Sequence, residues 1–207
     1  MAASGALARA LAACPLIAIL RGIQPDEVAA VGAALVDAGF RIIEVPLNSP
    51  SPFESVARLV GAHPDHLIGA GTVMTTGDVD RVAAAGARLI VMPHADLEIV
   101  RHAKARDLVC VPGIATPTEG FAALSAGADG LKLFPGEMLT PAVVKAMRAV
   151  FPKETPMIPV GGVDERTIPA YRAAGATGFG IGSALYKPGM TAAEVAVRAR
   201  ALVAALG

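Results

Sequence analysis

Arg41-Ile42-Ile43-Glu44-Val45-Pro46-Leu47-Asn48-Ser49-Pro50-Ser51-Pro52 runs from a β-branched apolar stretch, through a proline-rich turn, into the start of a helix. The stretch Arg41–Val45 reads as a strand, and Ser51-Pro52 reads as a helix opening, because serine caps free amides and proline is tolerated in a first turn. One charge, Glu44, interrupts the strand.

The same texture recurs along the chain. Strand candidates are Leu16–Leu20, Arg41–Val45, Leu67–Ala70, Leu89–Val91, Leu108–Val111, Gly130–Leu133, Met157–Val160 and Gly178–Ile181. Helix openings lie between them at Pro25-Asp26-Glu27, Ser51-Pro52, Thr76-Gly77-Asp78, Asp96, Thr116-Pro117-Thr118-Glu119, Thr140-Pro141, Asp164-Glu165 and Thr191. Gly39, Gly86, Gly127 and Gly175 follow four of the helices just before the next strand, where a left-handed cap is wanted. Alternation of this kind implies right-handed crossovers and a parallel sheet covered on both faces. The expectation is an α/β fold, a single (β/α)8 TIM barrel over residues 1–207 with a short N-terminal helix. At about 26 residues per unit that is compact for the fold. A doubly wound open sheet is the runner-up.

Composition narrows the function. Eighteen Lys and Arg against 18 Asp and Glu leave no basic excess for phosphate backbones, and 4% aromatic residues offer few stacking platforms, so no nucleic-acid partner is expected. Cys14 and Cys110 form neither a disulfide framework nor a metal knuckle, which fits a reduced, cytoplasmic setting. The mean hydropathy is high, +0.55, yet no apolar run reaches the ~18 residues of a spanning helix, so no membrane partner is expected either. The start, ending Leu11-Ala12-Ala13-Cys14, imitates a lipoprotein signal, but Arg9 splits it and an amphipathic first helix is the better reading.

In a barrel the active face lies at the C-terminal ends of the strands. Arg21, after the first strand, is either a carboxylate or phosphate clamp or a rim arginine. Glu44 needs a partner or a job if its strand is buried on both faces. Gly69-Ala70-Gly71-Thr72 permits close backbone approach and offers a hydroxyl. In Gly130-Leu131-Lys132-Leu133-Phe134-Pro135, alternation turns Lys132 to the interior, away from its apolar neighbours. There it either snorkels to the rim or, desolvated, supplies a neutral amine for Schiff-base formation. Gly161-Gly162 and Gly182-Ser183 follow the last two strands, where many barrels hold a phosphate on backbone amides. His63, His66, His94 and His102 lack zinc spacing, and His94, after Pro93, either lines the site or sits at the surface.

Taken together, Pro15–Gly22, Ile43–Pro50, Leu67–Val73, Leu131–Pro135, Val160–Val163 and Gly182-Ser183 resemble, in order and spacing, the class I 2-keto-3-deoxy-6-phosphosugar-acid aldolases of the KDPG/KHG aldolase family. The resemblance implies that Lys132 is the Schiff-base lysine and Glu44 the proton shuttle. It implies that Arg21 and Thr72 hold the pyruvyl end, and that Gly161, Gly162, Gly182 and Ser183 hold the phosphate. No metal and no cofactor is implied, and homotrimers are. Family members acting on the gluconate-derived substrate typically carry an Arg-Thr pair shortly after the strand-two glutamate, where this chain has Pro46-Leu47-Asn48-Ser49-Pro50. That departure resembles the branch acting on the galactonate-derived epimer and shifts carboxylate binding onto Arg21 and the Gly71-Thr72 amides. The alternatives are the gluconate-type or 4-hydroxy-2-oxoglutarate activity of the same family, a phosphosugar isomerase or epimerase, and a non-catalytic phosphosugar sensor. The last two have no need of Lys132.

Overall fold

The computed structural model describes residues 5–207; Met1–Ser4, the head of the signal-like stretch, lie outside the described residues. The rest of that stretch forms helix α1, Ala6–Ala13. All eight strand candidates are strands: β1 Leu16–Ile19, β2 Ile42–Pro46, β3 Leu67–Gly71, β4 Leu89–Val91, β5 Val109–Val111, β7 Leu131–Leu133, β8 Met157–Pro159 and β9 Phe179–Ile181. A ninth, β6 (Gly113–Ile114), follows β5 after Pro112. Helices α2 Val28–Asp37, α3 Pro52–Ala62, α4 Thr76–Ala84, α5 Leu97–Ala105, α6 Pro117–Ser125, α7 Pro141–Arg148, α8 Ile168–Ala173 and α9 Ala192–Ala204 alternate with them.

Several caps act as the sequence suggests, whereas the Ser51 and Thr140 side chains cap no amide. Asp96 accepts amide hydrogens from Glu98 and Ile99, and Thr116 and Thr191 each close a capping box with a glutamate three residues on. Gly39, Gly86, Gly127 and Gly175 all take the left-handed conformation. Two openings come late: α2 starts at Val28 rather than at Pro25, and α8 at Ile168 rather than at Asp164. In the second case the Asp164 carboxylate accepts the Arg166 and Thr167 amides and builds a turn ahead of the helix.

The strands pair in parallel in the order β5-β4-β3-β2-β1-β9, with a three-stranded companion β6-β7-β8. The first and last strands are neighbours, so the six-stranded sheet curls, unlike an open doubly wound sheet. The ladder of strands falls into these two pieces. Pro112 interrupts it between β5 and β6 because proline has no N–H to donate, and β8 meets β9 through one bridge, Val160 to Gly180.

Alternation divides the buried side chains into two layers. Ile17, Ile42, Leu67, Leu89, Val91, Val109, Val111 and Ile158 cluster inside the curl, and Leu7 and Leu11 of α1 pack with them. Leu16, Ala18, Ile43, Val45, Ile68, Ala70, Ile90, Leu131 and Leu133 belong to the outer layer between sheet and helices. Helix α1 thus plugs the N-terminal end of the sheet and leaves the C-terminal end open. Truncation of this plug, Leu11→Ala, is expected to lower unfolding free energy by about 2–5 kcal/mol in urea titrations, through lost burial and a residual cavity.

Candidate active site

Register and alternation set the two interior charges. Ile42 belongs to the inner cluster and Ile43 and Val45 to the outer layer, so Glu44 projects inward beside Ile19 and Gly69 in the ladder. Leu131 and Leu133 face the helices, so Lys132 also projects inward, paired along the backbone with Gly113 and Ile158. Glu44 is 2% exposed and Lys132 is 5% exposed, and a lysine snorkelling to the rim is thereby excluded.

Their surroundings shift both groups toward neutrality. Burial pushes the Glu44 carboxyl up to about 7, against the Lys132 and Arg21 charges and the Gly71 amide, which all favour the carboxylate. Burial likewise lowers the Lys132 ammonium; Glu44 opposes that shift and Arg21 adds to it. Among the described residues the two form no direct ion pair, and one Glu44 oxygen, Oε2, has no hydrogen-bond partner. Gly71 makes room for the carboxyl: a Cβ there would lie 2.0 Å from Glu44 Oε2. The Lys132 Nζ sits 4.5 Å from the centroid of the Phe134 ring.

Thr72 follows β3 with φ +56°, a left-handed conformation that a β-branched residue adopts only when its flanks hold it. The Leu47 amide donating to Gly71 O at 2.8 Å and the Val73 amide donating to Val91 O at 3.2 Å supply that hold. Arg21 extends from the turn after β1 and donates through Nη1 to Asn48 Oδ1 at 2.6 Å.

A cavity of about 510 Å3 opens at this end of the sheet. Arg21, Gly161, Gly162, Gly182 and Ser183 share its wall, which brings five of the eight residues singled out in the sequence around one space. Lys132, Glu44 and Thr72 are not part of that wall; Lys132 approaches it through Phe134, which is. Gly161 and Gly162 have φ of +108° and +63°, so the loop after β8 takes a path that favours glycine at both positions. A smaller cavity of about 230 Å3 lies at the opposite end among Arg9, Arg41 and Arg88 and shares no residue with the first.

Among the members of the wall that sequence reasoning missed are Phe134, Tyr186 and Glu137. Phe134 was within reach, because it stands two residues from Lys132 on the same strand path. Tyr186 is buried, and its hydroxyl donates to Glu27 at 3.2 Å, tying the loop after β9 to the one after β1; that contact spans most of the chain and leaves no local signal. Glu137 rests its carboxyl against Gly161, and nothing in its neighbourhood in the sequence points there. His94, left open by the sequence, is half-buried with an unpartnered Nδ1, whereas His102 pairs with Asp80 at 2.6 Å.

Chemically, a desolvated amine can attack a carbonyl, and a carboxyl near 7 can give and take a proton at neutral pH. Comparison with known proteins defines the class first: the protein is an aldolase, a lyase on an α/β fold. More narrowly, the chain belongs to the KDPG and KHG aldolase family, whose model matches residues 7–202.

Among its relatives, the probable 2-dehydro-3-deoxy-6-phosphogalactonate aldolase of Rhizobium meliloti (strain 1021) is 50% identical over 192 residues, covering 92% of this chain and 91% of that one. The 2-dehydro-3-deoxy-6-phosphogalactonate aldolase of Escherichia coli (strain K12) is 45% identical, covering 92% and 94%. A solved structure of native KDPGal superposes with a TM-score of 0.91 at 44% identity, over 93% of this chain and 94% of that one. The KDPG aldolase of Legionella pneumophila, solved with pyruvate captured as a covalent carbinolamine, superposes with a TM-score of 0.86 at 26% identity, over 95% and 98%.

The Glu44 environment has a measurable consequence for stability. Because its folded pKa stands above the ordinary value of 4.5, the protonated carboxyl is accommodated below pH 4.5, and ionisation destabilises the fold as pH rises through about 7. Glu44→Gln is therefore expected to match the parent near pH 4.5 and to exceed it by up to about 3 kcal/mol above pH 7, read from denaturant midpoints across that range.

Proposed function

We propose that the protein is a class I aldolase that cleaves 2-dehydro-3-deoxy-6-phosphogalactonate to pyruvate and D-glyceraldehyde 3-phosphate. The observation that carries the reaction type is the enclosed Lys132 with its lowered pKa. The substrate rests on the relatives of 45% and 50% identity, each named for it and each covered over nine-tenths of its length.

The Lys132 amine adds to the C2 ketone to give a carbinolamine, which loses water to a protonated imine. Glu44, acting through a water molecule, takes the proton of the C4 hydroxyl. The C3–C4 bond then breaks; its electron pair moves onto the imine nitrogen, leaving an enamine, and the aldehyde departs with its phosphate. Glu44 returns a proton to C3, and hydrolysis of the imine releases pyruvate and frees Lys132. One carboxyl serves both steps because they are sequential, and a pKa near 7 suits both directions. The imine is the electron sink, so the mechanism calls for no metal and no cofactor.

Arg21 and the Gly71-Thr72 amides hold the carboxylate of the pyruvyl part. The Gly161-Gly162 and Gly182-Ser183 loops hold the phosphate on backbone amides, and Gly161 and Gly162 present theirs from a left-handed backbone. What supports this division is that Arg21 and both glycine loops share the wall of one cavity. The same reading includes a single domain whose two sheet pieces close as an eight-stranded barrel, a cytoplasmic setting and assembly as a homotrimer. No helix among the described residues is long and apolar enough to cross a membrane. Exposed Phe121, Met138 and Val150 support burial of an apolar surface between subunits.

Pyruvate release from the galactonate-derived and gluconate-derived phosphates, compared side by side with EDTA present, is expected to favour the former. Preference for the gluconate epimer would refute the branch assignment, and release from neither would refute the lyase. Glu44→Gln is expected to slow turnover at least ~10²-fold on the preferred substrate while borohydride with pyruvate still traps an adduct.

A further inference from the structure

The Arg21 guanidinium has no carboxylate partner among the described residues, although it stands on the wall of the cavity. Its one side-chain partner is neutral: Asn48 Oδ1, at 2.6 Å from Nη1. Both side chains are exposed, so a bond between them adds little to stability. It does fix the direction of a long, flexible side chain, and it leaves the remaining N–H donors of the planar fork for an incoming anion.

Asn48 sits on a turn suited to that task. The buried Ser49 next to it accepts the Gly22 amide on Oγ at 2.9 Å and donates its own amide to Pro46 O at 2.9 Å. Leu47 donates its amide to Gly71 O at 2.8 Å. The turns after β1 and β2 and the end of β3 are thus tied together, with Asn48 and Arg21 at the junction.

We propose that Asn48 is a positioning residue that aims the Arg21 guanidinium at the carboxylate of the bound 2-keto acid. This rests on the function proposed above and adds a residue to it. Arg21 also lowers the pKa of both Lys132 on β7 and Glu44 on β2, the charges nearest it in the interior, while Glu137, Asp164 and Lys187 are the other charged members of the cavity wall. Loss of Asn48 releases Arg21 toward solvent, weakens its field at Lys132 and lets the lysine pKa rise.

The test is borohydride trapping of pyruvate, titrated at several pH values, in the parent, Asn48→Ala, Arg21→Ala and the double variant. The expected result for Asn48→Ala is a half-saturating pyruvate concentration raised about tenfold and a trapping midpoint moved to higher pH, with KM for glyceraldehyde 3-phosphate in the condensation direction unchanged. In the Arg21→Ala background the same change is expected to have no further effect, because the residue acts through Arg21. An unchanged half-saturation in Asn48→Ala, or an equal penalty in both backgrounds, would overturn the proposal. Absence of trapping in the parent protein would overturn the Schiff-base reading on which it stands.

Discussion

Enclosing an amine and a carboxyl inside an apolar curl of strands is the constraint on which the rest of the site depends. Strand alternation turns Lys132 and Glu44 inward, onto the face that Ile42, Leu67, Leu89 and Ile158 otherwise fill. Burial disfavours both charges, and the attraction between them compensates only in part because they form no direct pair. The outcome is a lysine that loses its proton more readily than usual and a carboxyl that holds its proton to about 7. Reactivity and instability have the same source here, and the large outer layer packed against the helices carries the fold that tolerates it.

Around that pair several of the remaining parts are backbone features. Gly71 clears the volume that the Glu44 carboxyl occupies, and Thr72 is held in a left-handed conformation between two strand-end hydrogen bonds. Gly161 and Gly162 carry positive φ at the cavity wall. These segments depend on neighbouring strands for their shape, so the curl of the sheet and the chemistry at its open end are linked.

The strands were legible in the sequence because strands covered on both faces must be continuously apolar, and every such run is a strand. Glu44 and Lys132 were legible for the same reason: a charge in such a run stands out. Gly113–Ile114 was not, since Pro112 removes a ladder donor and two residues make no periodicity. The late start of α8 was hidden as well, because Asp164 serves equally as a helix cap and as a turn former, and only the bonds to Arg166 and Thr167 distinguish the two. Asn48 was visible as a departure from the family pattern, but its partner, 27 residues away, came only with the fold.

The central claim is that the side chain of Lys132 forms the covalent link to substrate. Mass mapping of the protein after incubation with pyruvate and borohydride tests it most directly. The account predicts a single reduced pyruvyl adduct on the peptide containing Lys132 and none in Lys132→Met. An adduct on another lysine, or one that survives the substitution, would contradict it.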